Sequence, residues 1–460
     1  MLIRERSFYH HPVCLLPVFL LLVVSCRAPE TVTYVHPADE QDVLENFFDT
    51  SSIFGQSLTG FVLYDPERDS TLYDRDGQRF FTPASNTKIF TLYASLKALP
   101  DTLPSLRYTI KNDTLFFRGT GDPAFLNPSF DDQVVFEFLR NSDYPLAYYD
   151  GHYEDEHFGS GWSWDWYPAA YAPEKAPFPI FGNMVRLQRQ QVMLVKLNEE
   201  EPVKPKIFER YLERLGWNSN QLELVKREMR ENRFYYAPKA DTARQEHRMP
   251  FVYSSDLFVD LLSDTLGREI TYVDGNPSLD FEHTLYGTPA SKAYDLLMLD
   301  SDNLIGEQLL LMISDEKFGV MQSNRAIQHA RNNYLSDLPD RPQWADGSGL
   351  TRYNLVTPRS LVALLDILYN EYGGDNILPM FPAGGETGTL RGHHHPPHGG
   401  PPFVYGKTGT LRNNTALSGY IFTDTGRRLI FSIINNNYTV SNNALRSEME
   451  KLLNLVRESY

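Results

Sequence analysis

The sequence predicts a mixed α/β (α+β) protein in which helices pack on a sheet. Three observations carry this. Ile89, Phe90, Leu92, Tyr93, Leu96 and Leu99 recur with helical spacing after Ser85, which places Ser85 at the first turn of a buried helix. The runs Thr415 to Phe422 and Arg428 to Ile434 alternate well enough to pair as a hairpin through Asp424, Thr425 and Gly426. Between these parts lies a long stretch of unlike character, unusually charged from Glu199 to Glu246.

Taken in order, the chain opens with Arg4 and Arg6 ahead of an apolar run from Val13 to Val24. That run, about 12 residues, has signal-peptide length and is too short to span a bilayer. It ends in Val23, Val24, Ser25 and Cys26, a pattern that resembles a bacterial lipobox. Residues 1–25 are expected to be removed and Cys26 lipidated, with ordinary signal cleavage nearby as the alternative. Several acyl chains on Cys26 would anchor the protein stably to a membrane. The other cysteine, Cys14, leaves with the signal, so no internal disulfide is expected.

Residues 26–41 read as a linker. The main domain is expected in two pieces, 42–105 and 286–460, flanking an inserted accessory region, 106–285. The first piece holds strands around Thr59 to Tyr64 and Ser70 to Tyr73, a turn at Pro66 to Asp69, and the Ser85 helix. Within the insert, Ile207 to Glu231 looks helical. The second piece holds two apolar helical stretches interrupted at Ser301, a helix from Pro358 to Tyr372, a β-like run from Phe403 to Leu411 and the hairpin. A terminal helix capped by Asn442 or Asn443 ends it.

Composition agrees with this plan. With 460 residues, 42% hydrophobic and 13% aromatic, the chain can bury more than one core, and its length suggests two or three domains. A formal charge of −16 and a pI near 5.2 argue against nucleic acid as a partner. No long membrane segment follows the signal.

Three short motifs occur in order, Ser85-Asn86-Thr87-Lys88, Ser301-Asp302-Asn303 and Lys407-Thr408-Gly409. The same trio marks penicillin-binding proteins and class A β-lactamases. A serine and a lysine three positions on share one helix face. A serine hydroxyl is a poor nucleophile until a base takes its proton, and lysine can be that base when burial and a second cation lower its pKa. Lys88 is the candidate base, and the Ser85 amide one half of an oxyanion hole at a helix N-terminus. Ser301 would relay a proton to the leaving amine, and Asn303 would bond the substrate backbone; alternatively Ser301 to Asn303 only cap the next helix. Lys407, Thr408 and Thr410 can hold a free carboxylate, and the Thr410 amide can complete the oxyanion hole. Gly409 would let a substrate strand come close. The near repeat Gly385 to Arg391 carries Glu386 where Gly406 to Arg412 carries Lys407, so only the second copy suits an anion.

Spacing narrows the choice, since 216 positions separate Ser85 from Ser301. A compact β-lactamase has no room for that gap, and no Glu-x-x-Leu-Asn element follows Ser301. Through Thr82-Pro-Ala-Ser-Asn-Thr-Lys88, Gly119-Thr-Gly-Asp-Pro123, Gly161-Trp-Ser-Trp-Asp165, Ser301-Asp-Asn303, Asp346-Gly-Ser-Gly-Leu350 with Tyr353-Asn354, and Lys407-Thr-Gly-Thr410, the chain resembles the D-alanyl-D-alanine carboxypeptidase/endopeptidase family. These are the low-molecular-mass class C penicillin-binding proteins. The resemblance implies a penicillin-binding-protein/β-lactamase-like transpeptidase domain, five antiparallel strands flanked by helices, with a large insert between the first and second motifs. It implies Ser85 as acylated nucleophile, Lys88 as base, Ser301 and Asn303 as second element, and Lys407 and Thr408 as third. Peptidoglycan stem peptides are the implied substrate, β-lactams covalent inhibitors, and the periplasmic side of a bacterial envelope the implied location. No cofactor and no metal is expected.

Two other functions share parts of this pattern. One is a β-lactamase or esterase on the same scaffold; the other is a non-catalytic, peptidoglycan-binding lipoprotein, against which the intact serine and lysine argue. His393, His394, His395 and His398 sit among prolines and glycines without a carboxylate set, so a mobile rim of the site is favoured over zinc. Ser348 between Gly347 and Gly349 reads as a turn near the site. Asp165, among Trp162, Trp164 and Trp166, either reaches the cleft to read a polar peptide side chain or caps a turn; the tryptophans read as core or glycan-stacking surface.

Overall fold

The computed structural model describes residues 37–131, 133–189, 203–214, 225–236, 245–275 and 279–460. The main sheet has five strands in the order Val404–Leu411, Asn414–Phe422, Arg428–Asn436, Leu58–Asp65, Ser70–Arg75, every neighbour antiparallel. The two N-terminal strands complete a sheet begun by the three C-terminal ones, with Leu58 opposite Asn436 and Phe61 opposite Ile433. The hairpin closes through residues 423–427, as expected.

Both sheet faces are buried because apolar residues occupy both strand parities. Val62, Ala416, Tyr420, Ile430 and Ile434 face the helices Lys88–Ala98, Ala290–Met298, Asn303–Phe318 and Pro358–Tyr372. Phe61, Leu63, Leu417, Phe431 and Ile433 face the opposite layer, formed by Pro37–Thr50 and Asn442–Ser459. Leu445, Met449, Leu452, Leu453 and Val456 of the terminal helix recur every three or four residues and are buried there. Each such side chain contributes on the order of 1.5–3 kcal/mol.

A second five-stranded sheet, in the order Ile270–Tyr272, Leu146–Tyr148, Thr114–Gly119, Thr102–Lys111, His283–Pro289, packs with helix Ser255–Leu266 around its own core. The boundaries expected at 105 and 286 fall inside two strands, Thr102–Lys111 and His283–Pro289, that pair with each other. The chain thus leaves and returns to the main body side by side.

Three local expectations are corrected. Ile207 to Glu231 is not a helix among the described residues: a 3₁₀ turn, Lys206–Tyr211, leads into strands Leu212–Arg214 and Val225–Arg227. Gly216, Asn218, Ser219 and Asn220 interrupt the helical pattern with poor helix formers, and Phe208 packs on Phe234 and Phe251 instead. The terminal helix is capped by Ser441, whose extended backbone lets Oγ accept from the Ala444 N–H at 3.2 Å; Asn442 accepts from the Tyr438 hydroxyl at 2.8 Å instead. A helix already begins at Pro37, within the stretch read as linker. Residues 1–36, with Cys26, lie outside the described residues. No helix among the described residues is long and apolar enough to cross a membrane.

Candidate active site

Ser85 lies in a 3₁₀ turn, Ala84–Thr87, that runs directly into the buried helix Lys88–Ala98. Ala84 before it has φ of +49°, a left-handed conformation that an L side chain adopts only when its surroundings enforce it. Those surroundings are backbone. A Cβ on Gly349 would stand 2.0 Å from the Ala84 carbonyl oxygen, and one on Gly409 would stand 2.6 Å from the Pro83 oxygen and 3.0 Å from the Ser85 nitrogen. Gly409 is therefore required by the approach of the chain's own nucleophile turn, whereas the sequence suggested an approaching substrate strand. Asn86 ties the same turn to the sheet by donating to the Lys407 carbonyl at 2.7 Å.

Lys88 Nζ lies 3.1 Å from Ser85 Oγ, 2.6 Å from Asn303 Oδ1 and 2.5 Å from the Ser348 carbonyl. The last two are obligate acceptors, the amide being oriented by Nδ2 donating to the Tyr171 carbonyl at 2.7 Å. A neutral amine has two N–H bonds, and those acceptors use both. In that form its lone pair would face the serine hydroxyl, whereas the ammonium form donates to Ser85 Oγ as well. Burial lowers Lys88 to about 8, while Asp346, Asp302 and Glu307 keep it from falling further.

The second motif forms a sharp turn between Ala290–Met298 and Asn303–Phe318, with Ser301 at φ +58°. Asp302 caps the helix by accepting from the Ile305 N–H at 3.0 Å, while Ser301 and Asn303 line the cleft. Ser301 Oγ accepts from Lys407 Nζ at 2.8 Å. Lys407 is wholly buried and spends its remaining reach on the Thr408 carbonyl at 3.0 Å. Burial, then the Lys88 amine, hold Lys407 well below the usual lysine range. The lowering by a second cation anticipated for Lys88 thus falls on Lys407, with Lys88 as the cation.

The cleft has a volume of about 790 Å³ and is lined by Ser85, Asp165, Tyr171, Ser301, Asn303, Thr408, Gly409 and Thr410 among others. Asp165 faces it beside Trp166 and accepts no hydrogen bond among the described residues, so the turn-capping alternative has no contact behind it there. The near repeat runs alongside the third motif, Thr389 and Thr408 hydroxyls meeting at 2.7 Å. His393 and His394 also line the cleft, but His394 is buried, its imidazole pushed down to about 4 by burial and by His393 and His395. Among the described residues no group of His, Cys, Asp or Glu is placed to hold a metal ion. Trp162 is core, Trp164 exposed.

A buried polar layer beneath Lys88 escaped the sequence reading. Asp346 accepts from the Gly349 and Thr351 amides, at 2.9 and 2.7 Å, and from Asn354 Nδ2 and Trp162 Nε1, at 2.6 and 3.0 Å. Glu307 Oε1 accepts from the Ser348 N–H at 2.8 Å, so it fixes the peptide whose carbonyl holds Lys88. The available signal was its position four residues after Asn303 on one helix face. Burial and then Asp346 raise Glu307 to about 7. A folded-state pKa above the unfolded value means the folded protein binds the extra proton, so stability falls as pH rises from about 4.5 to about 7. Glu307→Gln is expected to remove this decline, so thermal melts of the variant at pH 5 and pH 7.5 converge relative to those of the wild type. A wild-type melting difference that survives the substitution would assign the decline elsewhere.

The fold is that of a penicillin-binding-protein or β-lactamase-like transpeptidase domain: the crystal structure of penicillin binding protein 4 (dacB) from Haemophilus influenzae matches with a TM-score of 0.71 at 18% identity, over 90% of this chain and 98% of that one. Within that class, the model of the D-Ala-D-Ala carboxypeptidase 3 (S13) family matches residues 42–247 and 283–459, and the chain belongs to this family. D-alanyl-D-alanine carboxypeptidase DacB of Haemophilus influenzae is 23% identical over 453 residues, covering 88% of this chain and 90% of the relative. D-alanyl-D-alanine carboxypeptidase of an Actinomadura species is 24% identical over 426 residues, covering 83% and 78%.

Proposed function

We propose that the protein is a serine-type D-Ala-D-Ala carboxypeptidase and endopeptidase that cleaves peptidoglycan stem peptides and their cross-links. The observation that carries this is the placement of buried Lys88, its Nζ 3.1 Å from Ser85 Oγ and within 2.6 Å of two obligate acceptors, Asn303 Oδ1 and the Ser348 carbonyl, which would leave a free pair for the serine proton once the amine is neutral. Ser85 Oγ attacks the carbonyl of the penultimate D-alanine and passes its proton to Lys88. The oxyanion is held by the Ser85 and Thr410 amides. The C–N bond then breaks as the proton taken by Lys88 is relayed through Ser301 to the leaving nitrogen, which returns Lys88 to its neutral form; Ser301 is oriented for this by accepting from Lys407 Nζ at 2.8 Å. Water hydrolyses the acyl-serine, with Lys88 again accepting the proton. Asn303 and Asp165 would contact the peptide on the acyl side, and Thr408, Gly409 and Thr410 its carboxylate side.

β-Lactams would trap the same acyl-serine, and the Haemophilus penicillin binding protein 4 has been crystallised with one. The family's substrate places this chemistry in the cell envelope, and Cys26 is the proposed lipid anchor. The proposal keeps signal 1–25, a linker, two catalytic pieces and the insert between them, with the linker ending before the helix at Pro37 and the edges of the insert inside the paired strands Thr102–Lys111 and His283–Pro289. Intact-mass analysis after brief exposure to benzylpenicillin should give one penicilloyl adduct on the wild type and none on Ser85→Ala, alongside D-alanine release from a pentapeptide by the wild type alone. No adduct and no D-alanine from the wild type would return the chain to a peptidoglycan-binding role.

A further inference from the structure

The third motif poses an electrostatic problem for the proposed function. A carboxylate on the leaving side needs a cation, yet Lys407 is buried, its Nζ bonded to Ser301 Oγ at 2.8 Å and to the Thr408 carbonyl at 3.0 Å. Its Nζ forms no hydrogen bond to a threonine hydroxyl among the described residues. The Thr410 hydroxyl has a different partner: Arg446, on the terminal helix Asn442–Ser459, donates to it from Nη2 at 3.3 Å.

Arg446 lines the cleft, is half-buried, and forms no ion pair among the described residues. Glu450, one turn along, is engaged elsewhere, accepting from the His394 N–H at 2.9 Å. A guanidinium left without a carboxylate, inside a cleft of a chain with formal charge −16, marks a place for an anion brought by a ligand. Four of its five N–H donors stay available after the Thr410 contact.

We propose that Arg446 is the charged group that binds the carboxylate on the carbon bearing the leaving nitrogen, together with the hydroxyls of Thr408 and Thr410. The inference rests on the acyl-serine reading above. The carboxylate chemistry is shared by a terminal D-alanine, by the D-centre of a cross-link and by a penicillin, so Arg446 serves all three. In this arrangement Lys407 orients Ser301, which relays the proton, while the terminal helix supplies the charge. The role of a carboxylate ligand passes from the third motif to a residue that follows it by almost 40 positions in sequence.

The test compares benzylpenicillin with its methyl ester, which lacks the carboxylate, on wild type, Arg446→Ala and Arg446→Lys, reading the rate of the mass adduct on Ser85. Arg446→Ala should slow acylation by the free acid about ten- to a hundred-fold, the value of one charge-assisted hydrogen bond. It should leave the ester within about twofold, and Arg446→Lys should recover most of the loss, since a point charge still attracts the acid. Equal losses for acid and ester, or none for either, on a wild type that does form the adduct, would overturn the role of Arg446 alone. A wild type that forms no adduct would overturn the acyl-serine reading and this inference with it.

Discussion

Lys88→Met should lower the rate of Ser85 acylation by benzylpenicillin about 10²- to 10⁴-fold, the range a positioned general base contributes. The methionine keeps the chain length and the apolar packing of the stem while removing the only basic group among the described residues that meets the Ser85 hydroxyl. The wild-type rate should carry the signature of that base. With Lys88 held at about 8, the amine is neutral above that pH and protonated below it. Acylation therefore climbs about tenfold per pH unit up to about 8 and then levels, as expected when one deprotonated group is required. In Lys88→Met the residual rate should lose this inflection. A variant that keeps wild-type rates, or a wild-type profile flat between pH 6 and pH 9, would remove Lys88 from the mechanism.

Asp346→Ala should cost about 3–5 kcal/mol of stability, because the four N–H donors that converge on a fully buried carboxylate would be left without an acceptor. At about 2–4 °C per kcal/mol for a domain of this size, the melting temperature should fall on the order of 10 °C. The milder Asp346→Asn separates charge from scaffold. Asp346 heads the charges that oppose the effect of burial on Lys88, so its neutral counterpart should let the lysine titrate lower. The acylation profile then moves to lower pH, the rise ending below 8. A melting temperature within 2 °C of the wild type for Asp346→Ala would show that water replaces the carboxylate and that the layer is not structural.

The two predictions differ in how visible their residues were in the sequence. Lys88 follows Ser85 by three positions on an amphipathic helix, so a local pattern sufficed. Asp346 was visible only as the first residue of the motif Asp346 to Leu350, because one of its four partners, Trp162, comes from the insert, while Gly349, Thr351 and Asn354 are local. Its role exists only after the insert has folded against the main body. Glu307 had a helical signal but needed the Ser348 peptide to give it meaning. The correction at the described residues of 207–231 has a related cause: periodicity was read without the packing of Phe208 against Phe234 and Phe251.

By itself the sequence determined the order of the three motifs, the buried helix behind Ser85, the late hairpin and the mixed α/β class. All of these rest on spacings of a few residues, where backbone geometry decides which side chains share a face. Only the tertiary structure decided that Lys88 meets Asn303 and Ser348, that Lys407 turns to Ser301, and that Arg446 reaches Thr410. Those contacts join segments far apart in sequence, and the helix and sheet layers bring them within 2.5–3.3 Å of one another. Local pattern selects the chemical groups, while burial and long-range packing set their protonation and partners.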